Sequence, residues 1–122
     1  MKILSTPSFD REAKRLSKKF PSLKEELSEL KQALMEKPEL GIPLGKNCYK
    51  IRLAVKSKGR GKSGGMRVIT WVVYEIQSNI VLFVNLLSLY DKSERSSISL
   101  KELTALINES KQDLLLEKFG KN

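Results

Sequence analysis

The sequence predicts an α+β fold: a small, mostly antiparallel sheet with an N-terminal helical hairpin and a C-terminal helix, in the order β-α-α-β-β-β-α. Three observations predict it. Apolar residues recur at helical spacing in two stretches near the N-terminus and in one near the C-terminus. They alternate singly in YKIRLAVK, Tyr49–Lys56, which is the period of a half-buried strand. The two runs that follow are apolar on both faces and rich in β-branched residues, as central strands are. With 122 residues, the chain is expected to form one domain, 1–122.

Met1 to Ser5 has the composition of a short first strand. From about Ser8 to Phe20 a helix is expected, because Phe9, Ala13, Leu16 and Phe20 fall on one face and Pro21 breaks the run. Ser22 followed by Glu25 has the spacing of a capping box, and Leu23, Leu27, Leu30 and Leu34 continue a second helix until Lys37-Pro38. PELGIPLGKN is a loop by its prolines and glycines. MRVITWVVYEI and IVLFVNLLSLY, joined by QSN, form an expected antiparallel hairpin, with Trp71 in the core. Ser99 and Glu102 form a second capping box, Leu103, Leu106, Ile107 and Leu114 mark the last helix, and Gly120 suits its end. The helices are expected on one side of the sheet.

Charge is the distinguishing feature. The chain is 40% hydrophobic and 30% charged, yet its formal charge is +9, which favours a polyanionic partner, nucleic acid first. From Leu40 to Tyr74 no acidic residue occurs, whereas Lys46, Lys50, Arg52, Lys56, Lys58, Arg60, Lys62 and Arg67 do. Eight cations in one stretch leave only +1 for the rest, so the block reads as a site. Lys50, Arg52 and Lys56 are expected on a strand face pointing away from the helices, continuous with Arg67 at the start of the next strand and suited to a phosphodiester backbone.

Between these strands runs KSKGRGKSGGMR. Its GKS invites a nucleotide-binding reading, but the glycine that motif needs five residues earlier is Lys56, and a strand follows where a helix is required. The single cysteine, Cys48, excludes an internal disulfide and fits a reducing compartment. Without histidine as an activating base, it reads as a buried strand residue. No signal peptide is recognisable, the longest apolar run is too short and interrupted to span a bilayer, and a cytoplasmic location without membrane association is expected.

YKIRLAVKSKGRGKSGGMRVITWVV, followed by LLSLYDKSE and an amphipathic C-terminal helix, resembles the RelE/ParE superfamily of bacterial type II toxins, in its RelE and HigB-like branch. The resemblance implies a toxin held inactive by a cognate antitoxin protein, and cleavage of mRNA in the ribosomal A site without a metal or other cofactor. It matches the family's basic strand residues to Lys50 and Arg52, and the arginine opening the next strand to Arg67. A functional residue near the end of the sheet falls nearest to Tyr90, with Lys92 after it. Lys46, Lys56, Lys58, Arg60 and Lys62 are assigned to RNA by charge, with Lys56 also a candidate for the chemistry.

Cleavage of RNA without metal needs a base for the 2′-hydroxyl, positive charge for the phosphorane and an acid for the leaving 5′ oxygen. The absence of histidine excludes a paired-imidazole ribonuclease. Glu75 is the only carboxylate expected in the basic strands and lies far from Arg67, so the base falls to lysine or tyrosine. Arg52 and Arg67 suit phosphate neutralisation, and Tyr90 suits stacking or proton transfer. So weak an acid–base set implies that the ribosome supplies the positioning. Two further readings stay open: a ParE-like inhibitor of DNA gyrase on the same fold, and a non-catalytic RNA- or ribosome-binding module.

Overall fold

A computed structural model describes residues 1–59 and 64–119, with side chains described through Leu116. Arg60, Lys62 and Gly120 therefore lie outside the described residues. The elements are β1 (Lys2–Ser5), α1 (Pro7–Lys19), α2 (Leu23–Glu36), β2 (Ile42–Gly45), β3 (Cys48–Leu53), β4 (Met66–Tyr74), β5 (Val81–Asp91) and α3 (Leu100–Phe119). They build an α+β fold around a five-stranded sheet of order β1-β5-β4-β3-β2. β1 runs parallel to β5 and every other pairing is antiparallel.

Local chemistry sets the helix ends. Thr6 caps α1, its hydroxyl accepting the Phe9 N–H at 3.1 Å, with Pro7 at the first helical position. At α3 the expected capping box forms: the Glu102 N–H donates to Ser99 Oγ at 3.1 Å, and the Ser99 N–H donates to Glu102 Oε1 at 3.3 Å. At α2 it does not form. Ser22 already has helical backbone angles, and its hydroxyl accepts from the Ser57 N–H (3.0 Å) and contacts Glu26 Oε1 (3.0 Å) instead. The carboxylate turned inward is Glu26, one residue beyond the expected Glu25.

Two further expectations are corrected. The loop PELGIPLGKN contains a strand, β2, joined to β3 by a two-residue turn in which Lys46 and Asn47 have φ of 55° and 60°. Positive φ at both central positions is the backbone of a type I′ hairpin turn. β2 is an edge strand, where Pro43 removes no ladder bond that another strand needs. The observed order is thus β-α-α-β-β-β-β-α.

The helices also occupy both faces of the sheet, not one. Phe9, Leu16, Leu23, Leu27, Leu30 and Leu34 of the α1–α2 hairpin pack on Ile51, Met66, Val68, Val72, Val84, Leu86 and Leu89. Leu103 and Ile107 of α3 pack on Cys48, Ile69, Leu87 and Tyr90 on the opposite face, with Trp71 against this second cluster. The reason lies in β4 and β5, whose residues are apolar on both sides and need cover on both. Each fully buried leucine contributes about 1.5–3 kcal/mol, which makes the hairpin the main clamp on its face. Among the described residues, no helix is long and apolar enough to cross a membrane.

Candidate nucleic-acid interface

The face under α3 carries the cations. Ile51, Val68 and Leu89 point to the hairpin, so their neighbours Lys50, Arg52, Arg67 and Tyr90 share the opposite side. Register then brings three of them into one row: Arg52 pairs with Arg67, and Arg67 pairs with Tyr90. The row spans about 10 Å, two inter-strand spacings, and Lys50 stands about 7 Å along β3 from Arg52. Lys50 and Arg52 have no ion-pair partner among the described residues.

Burial divides the row. Arg52 is exposed and Lys50 half-buried, whereas Arg67 is only 4% exposed and Tyr90 6%. Arg67 Nη1 donates to the Met66 carbonyl at 3.2 Å. The Tyr90 hydroxyl is buried without a hydrogen-bond partner among the described residues. Burial pushes the Tyr90 phenol above its ordinary value, against the opposing pull of Arg67 and Arg95. At neutral pH this ring is therefore a phenol, able to donate a proton and unfit to accept one. The Arg95 guanidinium lies over the ring, 5.5 Å from its centre, and is tied to Glu102 and to the Ser97 carbonyl (2.9 Å).

The remaining expected residues disperse. Lys46 sits in the β2–β3 turn, at the end of β3 away from Arg52. β3 stops at Leu53, so Lys56 leaves the strand and opens a one-turn 3-10 segment, Lys56–Lys58, where its N–H donates to Glu26 Oε2 at 2.8 Å. Lys92 lies just past β5, with its Nζ donating to the Ser96 carbonyl at 3.1 Å and its N–H to the Gly65 carbonyl at 3.1 Å. Arg60 and Lys62 fall outside the described residues.

Lys58 corrects the expectation most clearly. Its ammonium pairs with Asp91, with side-chain exposures of 6% and 1%, and lies 5.1 Å from the centre of the Phe20 ring. It is an internal charge and not part of the surface. Burial would push the Asp91 carboxyl up, but Lys58 and the Ser93 N–H and hydroxyl hold it below its ordinary value. Asp91 is also the carboxylate the sequence reading passed over. It closes β5 opposite Met66, but on the hairpin side of the sheet and already neutralised.

Arg95 is the other side chain missed. Its only sequence signal is a position within KSERSS, directly after the LYD strand end. Arg15 of α1 fixes that segment by donating to both oxygens of Glu94, at 2.8 and 3.2 Å. Together they border a cavity of about 490 Å³ between α1 and the start of α3, with Tyr90 in its wall.

A sheet covered by a helical hairpin on one face and a terminal helix on the other, with Lys50, Arg52 and Arg67 on its strands, defines a small basic α+β protein. The family described as the RelE toxin of the RelE/RelB toxin-antitoxin system matches residues 1–118, and the chain belongs to that family. It is a toxin-antitoxin toxin, with an antitoxin as the partner that the family implies. No curated protein matches the chain.

Proposed function

We propose that this toxin is a ribosome-dependent mRNA endonuclease that stops translation and is silenced by its cognate antitoxin. The observation that supports this reading is the Arg52–Arg67–Tyr90 row with Lys50 beside it. Two guanidinium groups facing one sheet position suit the charge that builds on a phosphorane as the 2′-oxygen attacks phosphorus and the bond to the 5′ oxygen breaks. Tyr90, held as a phenol, is a proton donor for the leaving oxygen or a platform for a base. In either role the substrate has to displace Arg95 from the ring. Lys50, beside the row, receives the 2′-hydroxyl proton only as a free amine; as an ammonium it has no lone pair and instead neutralises charge on the attacked phosphate. With no histidine or unneutralised carboxylate in the row, the chemistry leans on placement of the mRNA, which the ribosomal A site supplies. Lys46 and Lys92 extend the positive surface beyond the row.

Induced expression should arrest translation before replication, with primer extension revealing breaks in mRNA within reading frames. The soluble double variant Arg52→Ala/Arg67→Ala should abolish both. Continued toxicity in that variant would overturn the assignment. Arrest of replication first would point to gyrase, and translation arrest with intact mRNA to a binding module.

A further inference from the structure

The α1–α2 hairpin carries a second group of cations, away from the row. Lys14 and Lys18 stand about one turn apart on α1, and Lys24 and Lys31 about two turns apart on α2. The four line a groove of about 580 Å³ between the helices, over a floor of Ala13 and Leu27. All four are exposed, and none has an ion-pair partner among the described residues. The nearby carboxylates turn elsewhere. Glu12 pairs with Arg15 at 2.6 Å, Glu26 accepts the Lys56 N–H at 2.8 Å, and Asp10 accepts from Ser5 Oγ at 2.7 Å. Glu25 and Glu29 are not among the residues that line the groove. The hairpin covers the sheet face opposite the row, so this charge is separate from Lys50, Arg52 and Arg67.

Charge stands over an apolar base here. Ala13 is half-buried and Leu27 buried, and the methylene stems of the lysines widen the floor that they form. Met35, 52% exposed, follows Lys31 by one turn on the same stripe of α2 and lengthens the apolar line. From Lys24 to Lys31 the groove runs about 10 Å, two turns of a helix. The matching form is an amphipathic helix, with apolar side chains on the floor and carboxylates on both flanks. A nucleic-acid backbone matches the lysines but not the floor. No aromatic side chain lines the groove for a base to stack on.

We propose that the α1–α2 groove is a docking site for an acidic amphipathic helix of the antitoxin. Its apolar side chains rest on Ala13 and Leu27, and its carboxylates meet Lys14, Lys18, Lys24 and Lys31. The family supplies the partner, and the four uncompensated cations set the sign of its charge. Contact here leaves Lys50, Arg52 and Arg67 uncovered. The groove is therefore an anchor for the antitoxin whether or not the toxin cuts RNA.

The test is acetylation of lysines by sulfosuccinimidyl acetate, read by mass spectrometry on the free toxin and on its complex with the antitoxin. Lys14, Lys18, Lys24 and Lys31 should each react about fivefold more slowly in the complex, as water is excluded from them. Unchanged rates at the four would overturn the site. Lys18→Gln/Lys24→Gln, at exposed positions, should weaken the complex roughly tenfold. Ala13→Arg fills the floor while adding a cation, so it should also weaken the complex, whereas attraction by charge alone would tighten it. Tighter binding by that variant sinks the proposal. Should Ala13→Arg fail to fold, full affinity in Lys18→Gln/Lys24→Gln does the same. Oligouridylate bound to the free toxin should leave the four lysines at their free rates. Shielding of them by RNA would assign the groove to nucleic acid and count against the antitoxin helix.

Discussion

Arg52 stands directly opposite Arg67 across β3 and β4. Like charges facing each other on a sheet repel, at a cost of a few tenths to about 1 kcal/mol. Arg67 is buried and donates to the Met66 carbonyl, so the repulsion is relieved most simply by removing the exposed Arg52. Arg52→Ala is accordingly expected to leave the melting temperature unchanged or slightly higher while abolishing growth arrest. Thermal melts alongside induction assays check both halves.

Lys58 and Asp91 make the opposite case, a buried pair of unlike charges. Removing one partner strands the other, which costs about 3–5 kcal/mol. Lys58→Met and Asp91→Leu should each destabilise the chain by that order in urea titrations. The double variant should recover most of the loss, because neither charge is then left unpaired.

Acid should act through the same carboxylate. A carboxyl held below its ordinary value in the folded state adds stability that is fully present above the unfolded value. That stability is lost as the pH falls through the folded one. For Asp91 the loss begins below about 3.8, the ordinary value for this group. Urea midpoints measured from pH 6 down to 2 should therefore show an acid-labile component that Asp91→Asn lacks.

The Tyr90 hydroxyl is buried with no hydrogen-bond partner among the described residues. An unsatisfied buried donor contributes nothing to folding, so Tyr90→Phe should be neutral or mildly stabilising. If the phenol donates the proton to the leaving oxygen, the same variant should cut mRNA about a hundredfold more slowly. Unchanged cleavage would leave stacking as the role of the ring, and Tyr90→Ala should then be the damaging change.

Cys48 is buried in the cluster under α3, and burial pushes its thiol up to about 11. Reaction requires the thiolate. Alkylation by iodoacetamide at pH 8 should be slower than in the urea-unfolded chain by at least about a hundredfold. Rapid labelling of the folded protein would contradict the burial.

Periodicity revealed most of the elements because each buries a face at its own repeat. Phe9 and Leu16, or Tyr49 and Ile51, announce helix and strand directly. β2 escaped because it is held by pairing with β3 and not by its own composition; Gly41, Pro43 and Gly45 all argue locally for a loop. The side on which α3 packs was equally hidden. Leu103 and Ile107 show that the helix has an apolar face, but not which surface it covers.

For the candidate site, the strand alternation put Lys50 and Arg52 together, but only register could set Arg67 between Arg52 and Tyr90. Lys58 misled for a different reason. Its acid lies 33 residues later, beyond the stretch in which charge was counted, and becomes a neighbour only once β5 ends beside the 3-10 segment.

That clasp gives the molecule two kinds of charge. Exposed cations such as Arg52 and Lys46 answer to the surrounding electrolyte, and on the proposed reading their hold on RNA fades as ions are added. The Lys58–Asp91 contact is sealed from the medium and scarcely notices. A brine that strips the toxin from its target should leave its architecture standing.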